Sequence, residues 1–262
     1  MRLKLLVIAH MLIVLTGCSD HRIESNWARR SPAIDGNLGE WSSASMLVFE
    51  DLQVSVGVGN DTSFLYLACR VADAALQHMV SQSGVVIWLD PEGGHQKILE
   101  IHFPASRVES MNLNRGFFWD SLTEDQKSKA RHKAEETSRG VLVINRRSIE
   151  SRVFLPGNAE GLSVAVAEAE GLLSFEARMP LQIGRLFPNF SSIQPGRTVG
   201  IGVGLGGSMG DRSPGGGFEG ALPMGEPGLA GRSSAPRGFA PGGSRAPVKK
   251  EIWLEVGLAQ TQ

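Results

Sequence analysis

Short apolar runs alternate with turn residues along the first half of the chain. Between residues 46 and 102 the runs MLVFEDLQVSVGVG, FLYLACRVAD, GVVIWLD and KILEIHFP are separated by polar turns such as Asn60-Asp61. Apolar runs of about 5 to 8 residues, bounded by Gly, Asn, Asp and Pro, are typical of strands and turns. No segment of this region has a helical period, so the pattern predicts β-strands.

The second half continues with GVLVINRR, SRVFLP, LSVAVAEAE, LLSFEARMPL, TVGIGVGL and EIWLEVGLA. Alternation is clearest where Leu173, Phe175 and Met179 share one face and Ser174 and Glu176 the other, which indicates a strand with one buried face. Many short strands with frequent turns predict an all-β fold, an antiparallel, jelly-roll-like β-sandwich.

Two insertions interrupt this pattern. In SLTEDQKSKARHKAEETSRG, Ser121 and Glu124 have capping-box spacing and Gly140 suits a C-cap, so we predict a helix inserted over 121–139. Its interior offers only two alanines to a core, which favours a solvated helix over a binding helix. Residues 206–249 are rich in Gly, Pro, Ser and Arg with almost no large aliphatics, and we predict a disordered loop.

The run KKEIWLEVGLA after this loop again has the pattern of a strand. Lengthening a short turn to the size of this loop costs only about 2 kcal/mol of closure entropy. The last strand can therefore rejoin the sheet, and we predict one sandwich domain over 31–259 that contains both insertions.

The N-terminus, MRLKLLVIAHMLIVLTGC, has two basic residues, an apolar run of 11 residues and then small residues before Cys18. This is the pattern of a signal peptide over 1–17, and its apolar run is shorter than the roughly 20 residues that span a bilayer. Leu15-Thr16-Gly17-Cys18 resembles the bacterial lipobox, which implies a lipid on Cys18, a tether over 18–30 and a place in the cell envelope, at the outer membrane. An ordinary signal peptide cleaved near a chance cysteine is the alternative.

Charge and cysteine content restrict the function. Removal of 1–17 leaves 24 basic and 27 acidic residues, a net charge of −3, which argues against nucleic acid as a partner. Cys69 is the only other cysteine and lies in an apolar run. We expect it to be a small buried hydrophobic residue and not a catalytic thiol.

The segment PAIDGNLGEW, residues 32–41, resembles the start of the family-9 carbohydrate-binding modules and their relatives in the DOMON-like superfamily. The later runs DTSFLYLACRVAD, GVVIWLDPEG and LLSFEARMPL resemble the family's strands in the same order. Around the turn that Gly36 permits, we expect Ile34 and Leu38 to point inward and Trp41 to be a core aromatic at the bottom of the sandwich.

The resemblance implies a sandwich that binds a ligand at an edge or end. In sugar-binding members of the family two tryptophans clamp a terminal sugar, and a calcium ion braces the loops of some members. Trp88 and Trp119 are the candidate platform residues of this chain. Core packing of Trp88, and anchoring of the inserted helix by Trp119, are the competing interpretations.

Asp61, Asp73 and Asp90 are the candidate calcium ligands, because all three lie at the ends of predicted strands where carboxylate oxygens can converge. The alternative is that each one bonds to its own backbone, as aspartates in turns often do. No other cofactor is expected.

Three functions follow. The first is a non-catalytic, membrane-anchored binding module for carbohydrate or another envelope or extracellular ligand, with the membrane, a glycan and envelope proteins as partners. The second is a scaffold or assembly lipoprotein without a small ligand. The third is a haem-binding electron-transfer domain with axial ligands from Met46, Met79, Met111, Met179, His78 and His102. The chain shows no motif of an enzyme.

Overall fold

The computed structural model describes residues 21–106, 123–188, 190, 192–206 and 250–260. Sequence-based predictions outside these residues are the signal peptide over 1–17, the lipidation site Cys18, the candidate haem ligand Met111, the platform residue Trp119 and the disordered loop, apart from Gly206. The described part is a sandwich of two β-sheets, which confirms the all-β fold class.

The strands of the described residues are, in chain order, β1 His21–Glu24, β2 Asn26–Trp27, β3 Met46–Phe49, β4 Val54–Asn60, β5 Phe64–Val71, β6 Val85–Asp90, β7 Leu99–Phe103, β8 Val141–Asn145, β9 Glu150–Phe154, β10 Ser163–Ala169, β11 Leu172–Pro180, β12 Thr198–Leu205 and β13 Lys250–Gly257. The α-helices are α1 Ala74–Ser83 and α2 Glu124–Glu136. Short 3-10 helices lie at Leu38–Glu40, Ser43–Ser45, Glu50–Leu52, Thr137–Arg139 and Ile183–Arg185.

The seven-stranded sheet has the order β1-β13-β12-β6-β7-β8-β9, and the six-stranded sheet has the order β10-β11-β5-β4-β2 with β3 also paired to β4. Neighbouring strands are antiparallel in both sheets except at two places. The N-terminal strands β1 and β2 pair in parallel with β13 and β4, so the sheets are mixed and not purely antiparallel as the sequence predicted.

The core lies between the sheets and follows from the alternation of the strands. Leu67 and Cys69 of β5, Ile87 of β6 and Val203 of β12 are fully buried there, as is Phe175 of β11. Burial raises the pKa of the Cys69 thiol, which keeps it protonated. The prediction that Cys69 is a buried hydrophobic residue is confirmed.

Helix α1 is a helix that the sequence analysis missed. Asp73 is its N-cap and accepts a hydrogen bond from Leu76 N at 2.7 Å, and Gly84 follows its last turn. Only Leu76 and Val80 are buried, one turn apart. Two buried positions in a helix of 10 residues give only a weak helical pattern, so the described residues contain two α-helices instead of the single one predicted.

The inserted helix is confirmed at Glu124–Glu136, inside the predicted range of 121–139. Lys127 and Lys129 form ion pairs with Glu124 and Asp125 on its surface. Neither this helix nor α1 is long and apolar enough to cross a membrane.

The segment predicted as a tether, 18–30, contributes strands to both sheets from His21 onward. Ser25 lies at the crossing between the two strands and donates a hydrogen bond to Asn60 Oδ1. The fully buried Asn60 side chain also accepts from Ala259 N at 2.9 Å and donates to Ala259 O at 3.1 Å. Residues 21–27 belong to the domain because these buried polar groups satisfy one another there.

Candidate functional site

A cleft of about 740 Å³ lies on the outer face of the six-stranded sheet. We call it the N-terminal cleft, because most of its walls come from residues 26–45. Its side chains include two indoles, one phenol and two charged groups: Trp27, Arg30, Ser31, Glu40, Trp41 and Tyr66. Pockets of about 300–1,000 Å³ lined by aromatic rings and a few polar groups are typical of small-ligand sites.

Two glycines on β4 make room for the Trp41 indole, which forms one wall of the cleft. Val56 and Val58 point into the core, so Gly57 and Gly59 face outward, and the Trp41 ring lies over both glycines. A Cβ atom on Gly57 would lie 3.1 Å from Trp41 Cε3. A side chain there would push the indole away from the sheet, so the two glycines allow Trp41 to pack against the strand.

A buried carboxylate fixes the other side of this indole. Trp41 Nε1 donates a hydrogen bond to Glu176 Oε1 at 2.8 Å, and Glu176 Oε2 accepts from Asp35 N at 3.1 Å and from Gly36 N at 2.9 Å. Glu176 is 0% exposed. These three donors satisfy a buried group that would otherwise be costly, and they hold the turn and the indole together.

Only glycine fits position 36. Its φ is +87°, and a Cβ atom there would lie 2.7 Å from the Cβ atom of Ala167 on β10. Ser174 Oγ donates to Gly36 O at 2.6 Å, so β11 bonds both sides of this turn. The PAIDGNLGEW motif is therefore a clamp of the N-terminal segment onto β10 and β11.

The expectation for Trp41 was wrong. The sequence analysis placed it in the core at the bottom of the sandwich, but its half-buried ring lies on the outer face of the six-stranded sheet. The buried Leu38 and the half-buried Ile34 lie in the same N-terminal segment, which packs on a sheet and does not enter between the sheets.

Tyr66 forms the floor of the cleft. Its hydroxyl donates to Asp61 Oδ2 at 2.6 Å and lies 2.8 Å from Ser31 Oγ, which donates to it in turn. Burial, and then the hydrogen bond to Asp61, raise the pKa of Tyr66 to about 12. The phenol therefore stays protonated, and its buried ring supports the bottom of the cleft from below.

The rim carries opposite charges. Arg30 is exposed, and so is Glu40, whose Oε2 accepts a hydrogen bond from Ala33 N at 2.9 Å. Trp27, Arg30 and Tyr66 were not predicted as site residues from the sequence. Trp27 and Arg30 lie in the range assigned to a tether, and Tyr66 lies in an apolar run predicted as a strand. A tryptophan inside a supposed linker is the signal that pointed to a folded segment, since linkers seldom contain large aromatic residues.

Trp88, a predicted platform residue, lies on the outer face of the other sheet. It is 0% exposed, and its ring stacks on that of Trp253 at 6.0 Å between centroids. The ammonium group of Lys97 lies 4.2 Å from the centroid of the Trp88 ring. No ring face of Trp88 is open to a ligand in this structure.

Trp88 is outside the inter-sheet core because glycines also line β12. A Cβ atom on Gly204 would lie 2.5 Å from the Trp88 ring, and one on Gly202 would lie 2.9 Å from both Trp88 and Trp253. The alternating glycines of TVGIGVGL thus allow two indoles to pack against β12. The sequence pattern had indicated only that this run forms a strand.

A charged cluster is buried beside Trp88. Glu100 Oε2 lies 3.2 Å from His102 Nε2 and accepts a hydrogen bond from Arg146 at 2.8 Å. Burial by itself raises the pKa of Glu100, but the hydrogen bonds from His102 and Arg146 outweigh it and lower the pKa to about 2. The Glu100 carboxylate is therefore ionised at any ordinary pH.

The three candidate calcium ligands do not converge. Asp61 accepts hydrogen bonds from Ser63 N and Phe64 N, Asp73 caps α1, and Asp90 accepts from Glu92 N and Gln96 N. Asp61 and Asp73 lie at opposite ends of β5, about 25 Å apart at the usual rise of a strand. One calcium ion cannot contact all three, and the described residues contain no group of three or more His, Cys, Asp or Glu side chains arranged to bind a metal.

The candidate haem ligands are also dispersed. Met179 is buried between the sheets, whereas His102 bonds to Glu100 on the outer face of the seven-stranded sheet. Met79 lies on α1 and Met46 on β3. Met111 lies outside the part of the chain that the structure describes.

No family model and no curated protein matches the chain. Solved structures similar to it include a carbohydrate-binding module of family 9 from Caldicellulosiruptor kristjanssonii in complex with glucose, at 14% identity and a TM-score of 0.34 over 70% of this chain and 77% of that one. The same module in complex with cellotriose is similar at 13% identity and a TM-score of 0.34 over 70% and 75% of the two chains. At these values the likeness assigns no ligand and no site residue to this chain.

Replacing the buried carboxylate tests the clamp. Glu176→Gln puts an amide group where Asp35 N, Gly36 N and Trp41 Nε1 all donate, so at least one donor is left without its acceptor. We expect a loss of about 2–3 kcal/mol in the free energy of unfolding, measured with urea. Glu168→Gln, at an exposed residue of β10, is the matched control and should change it by less than about 0.5 kcal/mol. Equal effects of the two variants would contradict the clamp.

The Glu100 cluster predicts a dependence of stability on pH. Because the pKa of Glu100 falls from 4.5 in the unfolded chain to about 2, its contribution is complete above pH 4.5 and is lost as the pH falls toward 2. This contribution is about 3 kcal/mol. Glu100→Gln should therefore be less stable than the parent chain at pH 7, and the difference should shrink between pH 4.5 and 2 in urea unfolding.

Glu92→Gln is the control for this measurement, because Glu92 pairs with Arg147 on the exposed surface. It should differ little from the parent chain at every pH. A difference for Glu100→Gln that stays constant down to pH 2 would show that the carboxylate is not held ionised by His102 and Arg146.

Proposed function

We propose that this protein is a non-catalytic carbohydrate-binding module, anchored to the envelope membrane by a lipid on Cys18, and that the N-terminal cleft binds the sugar. The observation that carries the proposal is the meeting of the half-buried indoles of Trp27 and Trp41, above the buried Tyr66, in one cleft on an outer sheet face. Aromatic rings present broad apolar surfaces at a small cost in conformational entropy, and sugar rings stack on such surfaces.

The polar groups of the cleft support recognition of hydroxyl groups. The exposed guanidinium of Arg30 supplies hydrogen-bond donors, and the exposed carboxylate of Glu40 supplies acceptors. A sugar ring placed on an indole has its hydroxyl groups at its edge, where such rim groups can reach them. This combination of apolar floor and polar rim is what orients a ligand in a pocket.

The carboxylates around the cleft support a binding role without catalysis. Glu176 bonds to Asp35 N, Gly36 N and Trp41 Nε1, Asp61 bonds to Tyr66, and Glu40 bonds to Ala33 N. Each carboxylate thus accepts hydrogen bonds from the protein itself. Their role is to hold the walls of the cleft, which is the role expected in a preformed binding site.

The lipid anchor would bring the cleft close to the membrane surface. Cys18 precedes the first strand residue, His21, by three residues, which reach at most about 10 Å. Trp27 follows β1 directly as part of β2. A glycan bound in the cleft would therefore lie near the bilayer, where envelope glycans are found.

Binding to soluble oligosaccharides tests the function. The purified full chain in detergent is titrated calorimetrically with oligomers of glucose, of N-acetylglucosamine and of uronic acids. We expect one class to bind, and Trp27→Ala to weaken it about tenfold or more, because removal of a central aromatic residue usually costs the most. Trp253→Ala is the matched control, since Trp253 lies on the other sheet, and it should leave the affinity unchanged.

Two results would contradict this proposal. Binding that Trp253→Ala abolishes and Trp27→Ala leaves intact would place the site on the seven-stranded sheet. Absence of binding to every oligosaccharide, with a cooperative thermal transition of the same sample, would favour the scaffold lipoprotein without a small ligand.

The anchor is tested separately. Cells that express the chain are labelled with a radioactive fatty acid, and the protein is followed in membrane and soluble fractions. Cys18→Ser should abolish the label and release the protein from the membrane fraction, whereas Cys69→Ala should keep both, because Cys69 is the only other cysteine and is buried. Label that persists in Cys18→Ser would overturn the lipid assignment.

A further inference from the structure

Strand β9 is the last strand at one edge of the seven-stranded sheet in the part of the chain that the structure describes. Among the described residues it pairs with β8 alone, and its first four residues, 150–153, are exposed. On this side of the sandwich the six-stranded sheet ends at β10, and there the turn at Gly36 packs against Ala167. The unpaired backbone groups of β9 are therefore the more accessible template for another strand.

Exposed apolar side chains collect on the same side of the molecule. Large hydrophobic residues are exposed there at Ile149 (91%), Val153 (37%), Leu155 (39%) and Val166 (37%). Among the described residues Val48 is the only other large hydrophobic side chain exposed to this degree. This concentration along one edge is what an interface between protein chains needs.

The side chains of β9 alternate between two faces. Arg152 faces Val143 of β8, a buried core residue, so Arg152 and Glu150 point to the core side of the sheet. Ser151 and Val153 point to the outer side. The core side of the edge thus has an acid and a base two residues apart.

Symmetry limits how β9 can pair with itself. Two antiparallel strands related by a two-fold axis place one residue opposite its own copy, because facing residues point to the same side of a sheet. If Arg152 faces its own copy, two guanidinium groups meet. If Ser151 faces its own copy, each Glu150 faces Arg152 of the second copy, and Val153 lies on the other side next to Ile149, the last residue of the turn before β9, in the second copy.

We propose that β9 pairs with β9 of a second copy of this chain, antiparallel and with Ser151 on the two-fold axis, so that the two seven-stranded sheets join. Opposite charges face each other twice on one side of the strand pair, and on the other side each Val153 lies beside the exposed turn residue Ile149 of the second copy. Directly facing side chains in antiparallel strands are close enough, at about 4.5–5.5 Å between Cβ atoms, for the charged pairs to stabilise the dimer. The N-terminal cleft lies on the other sheet, so this inference is independent of the ligand.

Disulfide trapping tests the register. In the full chain in detergent, Ser151→Cys should form a covalent dimer on mild oxidation, because its two copies face each other at nearly the Cβ separation of a disulfide, about 3.5–4.5 Å. Val153→Cys is the matched control on the same strand. Its two copies would be four residues apart along the strand pair, about 13 Å, which is beyond the reach of a disulfide. The parent chain, with Cys18 and the buried Cys69, sets the background.

Charge reversal tests the pairs. In the Ser151→Cys background, Glu150→Arg or Arg152→Glu alone places like charges opposite each other twice and should reduce the trapped dimer about tenfold. The double variant Glu150→Arg/Arg152→Glu restores opposite charges and should restore the dimer. Thermal unfolding of each variant checks that these exposed substitutions leave the fold intact.

The proposal is overturned if Ser151→Cys traps no dimer, if Val153→Cys traps as much, or if the double reversal stays as weak as the single ones. A folded variant that traps no dimer would show that the inward-pointing Arg152 guards the edge against pairing. Equal trapping by Ser151→Cys and Val153→Cys would show that the two chains contact each other in another register or in no fixed register.

Discussion

The side chain of Glu176 is the contact on which the wall of the N-terminal cleft depends. It is fully buried, and its two oxygens accept three hydrogen bonds from residues that lie 135 to 141 positions earlier in the chain. A buried carboxylate without partners costs several kcal/mol, so the sandwich and the N-terminal segment stabilise each other through this one group. The turn at Asp35-Gly36 and the Trp41 indole are held by the same side chain, which links the shape of the motif to the shape of the cleft.

Both sheets seat tryptophans on their outer faces with glycines. Gly57 and Gly59 lie under Trp41 on one sheet, and Gly202 and Gly204 lie under Trp88 on the other. A strand that alternates glycine with valine or isoleucine buries its large residues in the core and leaves a flat strip outside. An indole then lies close to the backbone. The two outer faces differ in the exposure of their tryptophan, since Trp41 lines an open cleft and Trp88 is covered.

The N-terminal residues connect the two sheets. β1 joins the seven-stranded sheet and β2 the six-stranded sheet, and Ser25 between them bonds to the buried Asn60, which also bonds to Ala259 near the C-terminal end of the described residues. The polar groups at this crossing are shielded from water and have few other hydrogen-bond partners. Their mutual hydrogen bonds therefore specify where the chain enters the sandwich. The cleft is built at this entry point.

The strands from residue 46 onward, the inserted helix and the buried state of Cys69 could be predicted from the sequence, because apolar alternation and capping patterns are local. The PAIDGNLGEW turn could be predicted for the same reason. The sequence did not reveal α1, whose buried face has only two apolar residues, or the strands at 21–27, whose polar composition has no alternating pattern. Which face each tryptophan occupies was decided by the tertiary structure, because an aromatic residue next to a strand fits the core or a glycine-lined outer face equally well. The cleft likewise exists only once Glu176 meets Asp35, Gly36 and Trp41, and no local pattern encodes a contact over such a separation in the chain.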